Sequence, residues 1–472
     1  MKRFGWLMLA AVVGVAGVVR GAEKPNIVVI VADDLGWNAV GYHGGYARTP
    51  NVDSIAKNGV DLDRFYVSPM CSPTREGIMT GRYPMRYGLG RSVIRPWAMA
   101  GLPPEEKTIA EALGDAGYED RAAFGKWHMG HLDVKWHPLN QGFTHFEGCY
   151  NGAEDYFTRE RDGQPDWHVD YDDVKREGYS TDIIADLGVK YIQEHAKGGK
   201  PFFCYVAFTA VHEPAQATQK YIDQYPHLRG EKKILAAQDT CMDDGIGKIL
   251  DAIKEGGIQK NTIVWFLSDN GGIRKIPGNN APLKGGKLEC YEGGVRTPAA
   301  VWWPGVIEGG RKVEMPVVNV DLLPTLVKVG GGKVEDGKVE GGKPLDGVDV
   351  MDALMGKEMA GRDVYSFTGQ EGIEKEQISV LSGGWKLIVT GPDIRREGGI
   401  EGAGHKVELY HLEKDLDEKS DVADKEPAKV KELGEKLVEF RKSEPAGALE
   451  PTNEKPADFV VPKNWHNGPA GK

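Results

Sequence analysis

The chain has 472 residues, 40% of them hydrophobic and 27% charged, and a formal net charge of −11. Those proportions are those of a soluble globular protein, and the length exceeds what one compact domain usually holds, so two domains are expected. The acidic balance argues against a general nucleic-acid binder, whose footprint is a basic face, although a cleft can still be locally basic.

The N-terminus, MKRFGWLMLAAVVGVAGVVRGA, sets Lys2 and Arg3 before an apolar run from Phe4 to Val19 and the small residues Gly21 and Ala22. That pattern predicts an export signal over 1–22, cleaved after Gly21 or Ala22, and a mature protein in the periplasm or secreted, free of the membrane. The run is short for a retained anchor, and no later stretch is long and apolar enough to span a bilayer.

NIVVIVADD (26–34) is a β-branched run ending in two acids. TPNVDSIAKNG (49–59) opens a helix with Thr49 as cap and Pro50 in the first position. Thr108 and Glu111 make a capping box. RAAFGKWH (121–128), PFFCYVAF (201–208), TIVWFLSDN (262–270) and TPAAVWW (297–303) read as buried strands, with helices over 180–196 and 231–255 between them. Apolar strands alternating with helices predict an α/β fold. Its main domain, 23–329, is a large doubly wound, mostly parallel sheet covered on both faces, with ligands at the carboxyl ends of strands.

The pattern changes after Leu326. GGGKVEDGKVEGGKP (330–344) reads as a flexible loop or linker. VYSF (364–367), GWKLIV (384–389), VELYHL (407–412) and a charged helix over about 426–442 predict a smaller C-terminal α+β domain over 345–442, an antiparallel sheet plus a helix. The tail from Ser443 to Lys472, rich in Pro, Gly and Asn, is expected to be poorly ordered.

Asp33 and Asp34 end the first strand, and Asp269 and Asn270 follow another. Either pair alone reads as a helix cap and a solvated acid. Together, two strand ends each offering two oxygen-bearing side chains make an oxygen-only site suited to Ca²⁺ or Mg²⁺. The five cysteines, Cys71, Cys149, Cys204, Cys241 and Cys290, form no CxxC pair, which leaves zinc and thioredoxin-type sites without support. Cys71 stands in PMCSPTREG (69–77), where SPT reads as a helix start, and Arg75 falls one turn later. A buried thiol beside a surface arginine and a plain cysteine nucleophile both fit that stretch. A thiolate beside a hard metal is a mismatch, so an oxygen function at position 71 fits better. If Cys71 is consumed in chemistry, the other four cysteines can pair in an oxidising compartment.

C-S-P-T-R (71–75) resembles the sulfatase signature Cys/Ser-x-Pro-x-Arg. Further motifs agree in order: ADDLGW (32–37), MTGRYP (79–84), GKWHMG (125–130), SDNGG (268–272), Lys287 with LECY and EGGVRTP to Pro298, and ELYHLEKDLDEKSDVA (408–423). The resemblance runs from about residue 24 to about 440. It implies that a formylglycine-generating enzyme converts Cys71 to formylglycine, whose hydrated aldehyde carries the nucleophilic oxygen. It implies one Ca²⁺ held by Asp33, Asp34, Asp269, Asn270 and the modified Cys71. Arg75 matches the residue that steadies the formylglycine, and Lys126 and His128 match the Lys-x-His pair beside it. His212, in AFTAVHEP (207–214), matches the histidine that protonates the leaving group. Lys287 matches the sulfate-binding lysine, and its spacing from EGG prefers it over Lys284. Outside that resemblance, Lys126 reads as a surface lysine, His128 as a satisfied core histidine and His212 as a loop histidine.

The segment GAEDYFTRERDGQPDWH (152–168) is similar to one in the arylsulfatase B type branch, the N-acetylgalactosamine 4-sulfatases, and its Asp, Tyr, Trp and Arg content suits a sugar. An ordinary surface loop fits it as well. The expectation is an exported sulfatase acting on a sulfated carbohydrate. Two alternatives stand beside it: a phosphodiesterase or phosphonate hydrolase of the same superfamily, and a glycan-binding protein whose Cys71 is never modified.

Overall fold

A computed structural model describes residues 24–466. The expected export signal lies outside them. Among the described residues, no helix is long and apolar enough to cross a membrane.

The core is a ten-stranded sheet. Its strands are β1 (Asn26–Ala32), β2 (Val60–Leu62), β3 (Asp120–Lys126), β4 (His145–Cys149), β5 (His168–Val169), β6 (Asp172–Asp173), β7 (Phe202–Ala207), β8 (Thr262–Ser268), β9 (Ala299–Trp302) and β10 (Arg311–Val313). They lie in the order β10-β2-β9-β8-β1-β7-β3-β4-β5-β6. The five central strands, β8-β1-β7-β3-β4, run parallel. TPAAVWW forms β9 as expected but pairs antiparallel to β8.

Strand β1 shows why both faces must be covered. Val28, Ile30 and Ala32 point into one core with residues of α1 (Pro50–Asn58), α4 (Ser180–His195) and α5 (Gly230–Glu255). Ile27, Val29 and Val31 point into the other, against α2 (Cys71–Thr80), α3 (Ile109–Asp115) and α6 (Leu322–Val329). Alternation at period two sends an all-apolar strand into two cores at once, which only a helix layer on each side can bury. The Thr108–Glu111 capping box forms in both directions at the start of α3.

The smaller sheet is antiparallel, in the order β11 (Val364–Thr368), β12 (Glu376–Ser382), β13 (Trp385–Gly391), β14 (Lys406–His411), and α7 (Pro427–Lys442) packs on it. Its second strand, 376–382, carried no motif that singled it out in the sequence.

Two segments differ from expectation. Within the Gly/Lys-rich stretch 330–344, Val334–Glu335 pairs with Lys338–Val339, and Val339 is buried in the main core. A tight turn at Asp336–Gly337, with φ of 48° and 68°, closes this hairpin, so glycine here makes a turn rather than a tether. The tail expected to be poorly ordered runs, up to His466, back along the main domain. Arg91 pairs with Glu444, the Trp97 indole donates to the Thr452 carbonyl, and Trp465 is buried. Its few aromatic and acidic side chains find partners that a count of Pro and Gly does not reveal.

Candidate active site

The carboxyl ends of β1, β8, β7 and β3 converge on one cleft, with the N-terminus of α2 aimed into it. Because β1 and β8 are parallel and in register, the residues after them stand side by side: the Asp269 amide donates to the Ala32 carbonyl at 3.0 Å, and the Asp34 amide to Asp269 Oδ1 at 3.2 Å. Asp34 adopts the left-handed region, φ 63°, which aspartate tolerates better than most residues and which turns its carboxylate into the cleft. Asn270 Nδ2 donates to Asp34 Oδ1 at 2.7 Å.

Cys71 is the first residue of the ten-residue helix α2, every residue of which is buried. Its Sγ lies 3.5 Å from Asp33 Oδ1 and 4.0 Å from Asp34 Oδ1. Burial pushes the thiol pKa up and Asp269 adds to it, so the unmodified residue is a poor thiolate. One turn on, Arg75 is fully buried. Its Nε and Nη2 reach Asp269 Oδ2 at 2.9 and 2.8 Å, and Nη1 donates to the Lys126 carbonyl at 3.0 Å. The arginine thus ties α2 to β8 and to β3 and fixes where Cys71 sits.

Four further side chains face the thiol. Lys126, the last residue of β3, holds Asp33 at 2.5 Å, and Lys287 holds Asp34 at 2.7 Å. His212, after β7, places Nε2 3.8 Å from Asp34 Oδ2 while Nδ1 meets the Glu213 carbonyl at 2.7 Å. His128, two residues past Lys126 and at φ 57°, places Nε2 3.1 Å from the Ile94 carbonyl. A carbonyl only accepts, so Nε2 carries the hydrogen, and Nδ1 is left buried with its lone pair free. Lys284 turns away, to the Tyr410 hydroxyl and the Glu418 carbonyl. All the residues expected at the site are therefore brought together, and Lys287 rather than Lys284 is the lysine in it.

The electrostatics are uneven. Burial, with Asp269 nearby, pushes Asp33 up to about 7 despite Lys126. Burial also works against Asp34, but Lys287, His212 and Lys126 outweigh it and hold that carboxyl below the usual carboxylate range. Burial and Lys287 push His212 down to about 3, and burial with Lys126 lowers His128, so both imidazoles favour the neutral form. Asp33, Asp34, Cys71 and His212 each offer an atom within 4.8 Å of the others, and the buried Asn270 Oδ1 has no partner. An orphaned amide oxygen beside two carboxylates is the donor set of a hard divalent cation, and these residues fit one.

The cleft above Cys71 has a volume of about 170 Å³, and its wall adds Arg95, Arg161 and Gln370. Arg161 lies in the segment 152–168 whose Arg content was singled out as suiting a sugar; Arg95 and Gln370 did not stand out in the sequence. Arg95 lies in a loop with no motif, and Gln370 comes from the smaller domain, so no local pattern links either to the strand ends. All five cysteines are free and buried, and no disulfide pairs the other four.

A cleft that gathers lysines and histidines at the carboxyl edge of a doubly wound sheet, with carboxylates behind them, defines a hydrolase for an anionic ester. Residues 25–332 match the sulfatase family profile. Arylsulfatase J of Mus musculus is 30% identical over 470 residues, covering 90% of this chain and 77% of that protein. The N-acetylgalactosamine-6-sulfatase of the same species is 31% identical over 424 residues, covering 83% and 79%. Among solved structures, Ps i-CgsB in complex with k-i-k-neocarrahexaose superposes with a TM-score of 0.81 at 29% identity, covering 91% of this chain and 95% of that one. The chain belongs to the sulfatase family and is a sulfuric ester hydrolase. The narrower resemblance to the 4-sulfatase branch is not sustained, since these relatives are an arylsulfatase and a 6-sulfatase. The segment 152–168 that suggested it is a local loop, which carries less family information than the motifs around the sheet.

Proposed function

We propose that the protein is an exported sulfatase that hydrolyses a sulfate ester of a sulfated carbohydrate, with Cys71 converted to formylglycine and one Ca²⁺ beside it. The observation that carries this reading is the convergence of Lys126, Lys287, His128 and His212 on one cysteine at a buried helix start, backed by Asp33, Asp34 and Asn270. The N-acetylgalactosamine-6-sulfatase name of one relative, and the neocarrahexaose in one similar structure, support a sugar as the sulfated partner. Export rests on the Lys2–Arg3, Phe4–Val19 and Gly21–Ala22 pattern, and maturation requires a formylglycine-generating enzyme.

Each residue then has a task. Asp33, Asp34, Asp269 and Asn270, with the oxygen at position 71, would hold the calcium, which when bound polarises nearby oxygens. Formylglycine supplies, as its hydrated aldehyde, an attacking oxygen and a second hydroxyl that allows sulfate to leave. Lys126 and Lys287 neutralise the non-bridging oxygens of the ester as charge moves toward the leaving oxygen. Arg75 keeps α2 in register with β3 and β8, so residue 71 stays on line. His212 donates a proton to the leaving alkoxide. The anionic ester opposes Lys287 and raises the imidazole from its low value, so the proton is held only when substrate is bound. His128, with Nδ1 free and Nε2 fixed on Ile94, accepts a proton from the hydroxyl of residue 71.

The test is the mass of the tryptic peptide Phe65–Arg75 from native material, followed by a screen of sulfated glycans. The expected peptide has oxygen in place of sulfur and two hydrogens fewer. An unmodified thiol in protein from its own host would refute this mechanism.

A further inference from the structure

Two arginines in the wall of the cleft have no counter-charge that the sulfatase chemistry accounts for. Arg95 lies on the loop that also supplies the Ile94 carbonyl to His128, and Arg161 lies on the two-residue strand Glu160–Arg161, paired with Gln164–Pro165. Both border the same space as Cys71, His212 and Lys287. Among the described residues, no carboxylate pairs with Arg95, whose Nη2 donates to the neutral Asn453 Oδ1 at 3.0 Å. Arg161 faces only its neighbour Asp162, at 3.6 Å. The Nε atoms of both are buried and make no hydrogen bond. By contrast, the buried Arg296 holds Asp63 at 2.8 Å.

A guanidinium partly withdrawn from water without a close carboxylate costs free energy, and two facing one space cost more by repulsion. Burial and the charge of Arg161 both depress the pKa of Arg95, which agrees with that closeness. The chain also holds both in place. Gln370 and Asn453 bond each other in both directions, which fixes the oxygen that Arg95 uses. The Trp465 indole donates to the Arg161 carbonyl at 2.9 Å, and the Asn464 amide to Gln164 Oε1, so the tail clamps the hairpin that carries Arg161. Repulsive cations are fixed in this way where a ligand supplies the missing charge. The adjoining groove, which shares His212 and Arg161, has the opposite sign, with Glu154, Asp155, Glu160, Asp162 and Glu213 on its wall. An anionic group is disfavoured there and favoured toward Arg95.

We infer that Arg95 and Arg161 form a second anion subsite, so that the preferred substrate carries, beside the ester that is cleaved, a second sulfate or a carboxylate. Guanidinium forks bind either oxyanion in bidentate fashion. The inference rests on the sulfatase reading and deepens it.

The test is calorimetric binding to the full chain carrying Cys71→Ala, which leaves the probes intact. The probes are N-acetylgalactosamine 6-sulfate, its 4,6-disulfate, and the disaccharide of glucuronic acid with N-acetylgalactosamine 6-sulfate. At least one two-anion probe is expected to bind about tenfold or more tighter than the monosulfate, the worth of one hydrogen bond to a charged group. Arg95→Gln and Arg161→Gln are each expected to remove most of that ratio. Preference for the disulfate alone identifies a second sulfate, and preference for the disaccharide alone identifies a carboxylate. Equal binding of all three probes overturns the subsite, as does an equal loss for all three in the variants. Hydrolysis of 4-nitrophenyl sulfate by the converted wild-type protein is read separately. Its absence would count against the sulfatase chemistry, not against the subsite.

Discussion

Lys284 and Lys287 stand three residues apart on one loop, and of the two only Lys287 lines the cleft. Lys287 sits 2.7 Å from Asp34, whereas Lys284 is engaged by Tyr410 and Glu418 of the smaller domain. Lys287→Ala is therefore expected to lower kcat/KM by about 10²–10³-fold, the usual loss when one preorganised charge on the developing anion is removed. Lys284→Ala should leave kcat within a few-fold and show its effect on thermal stability. Steady-state kinetics with an aryl sulfate check both, and equal losses in the two variants would contradict the assignment. The histidines show the same selectivity. Sequence placed His128 and His212 beside the thiol only by resemblance. The structure adds which nitrogen of each is tied to a carbonyl, and so which is free to move a proton.

At the scale of elements, the long central strands and the helices were legible, and the sheet edges were not. β1, β7 and β8 are nearly continuous apolar runs because both faces are buried, and that leaves a strong local signal, while β3 is apolar only over Ala122–Phe124. β5 and β6 are two residues each, too short for any pattern to show, and are held by side chains instead. His168 is the clasp, 3.1 Å from Asp166 and 3.2 Å from Asp173. Burial works against its charge, but those two bonds win and raise its pKa. A group whose folded pKa is raised stabilises fully below its unfolded value, about 6.5, and that contribution is lost as pH rises through the folded value. Amide exchange over residues 166–173 should thus lose protection between slightly acid and alkaline pH, after correction for the intrinsic rate, while α4 keeps its protection. Constant protection across that range would show that the clasp is not ionic. The direction of β9 was hidden for a related reason, since an apolar run reads the same whether its neighbour is parallel or antiparallel.

At the scale of the whole molecule, the site joins residues from position 33 to position 287, its outer wall includes Gln370 of the smaller domain, and Asn453 of the tail holds the wall residue Arg95. Asn270 Oδ1 has no partner, and burial with Asp269 nearby raises Asp33 despite Lys126, so a cation held among these oxygens should stabilise the fold. Removing divalent ions with a chelator is expected to lower the melting temperature. Restoring Ca²⁺ at about one hundred times its dissociation constant should recover about 2.7 kcal/mol, by mass action on the native state. An unchanged melting temperature in the chelated protein would argue against the metal.

What the sequence determined by itself was the doubly wound class, because it rests on short-range patterns of apolar runs and helix caps, whereas the inner site was expected from acids and a cysteine at element ends and, for its lysines and histidines, from family resemblance. Only the tertiary structure decided that 330–344 and 443–466 are packed segments, and that Arg95 and Arg161 face one space with no carboxylate nearer to either than Asp162, 3.6 Å from Arg161. Those are properties of residues distant in the chain, and the energy of a buried charge depends on what the fold brings beside it, which no local pattern encodes.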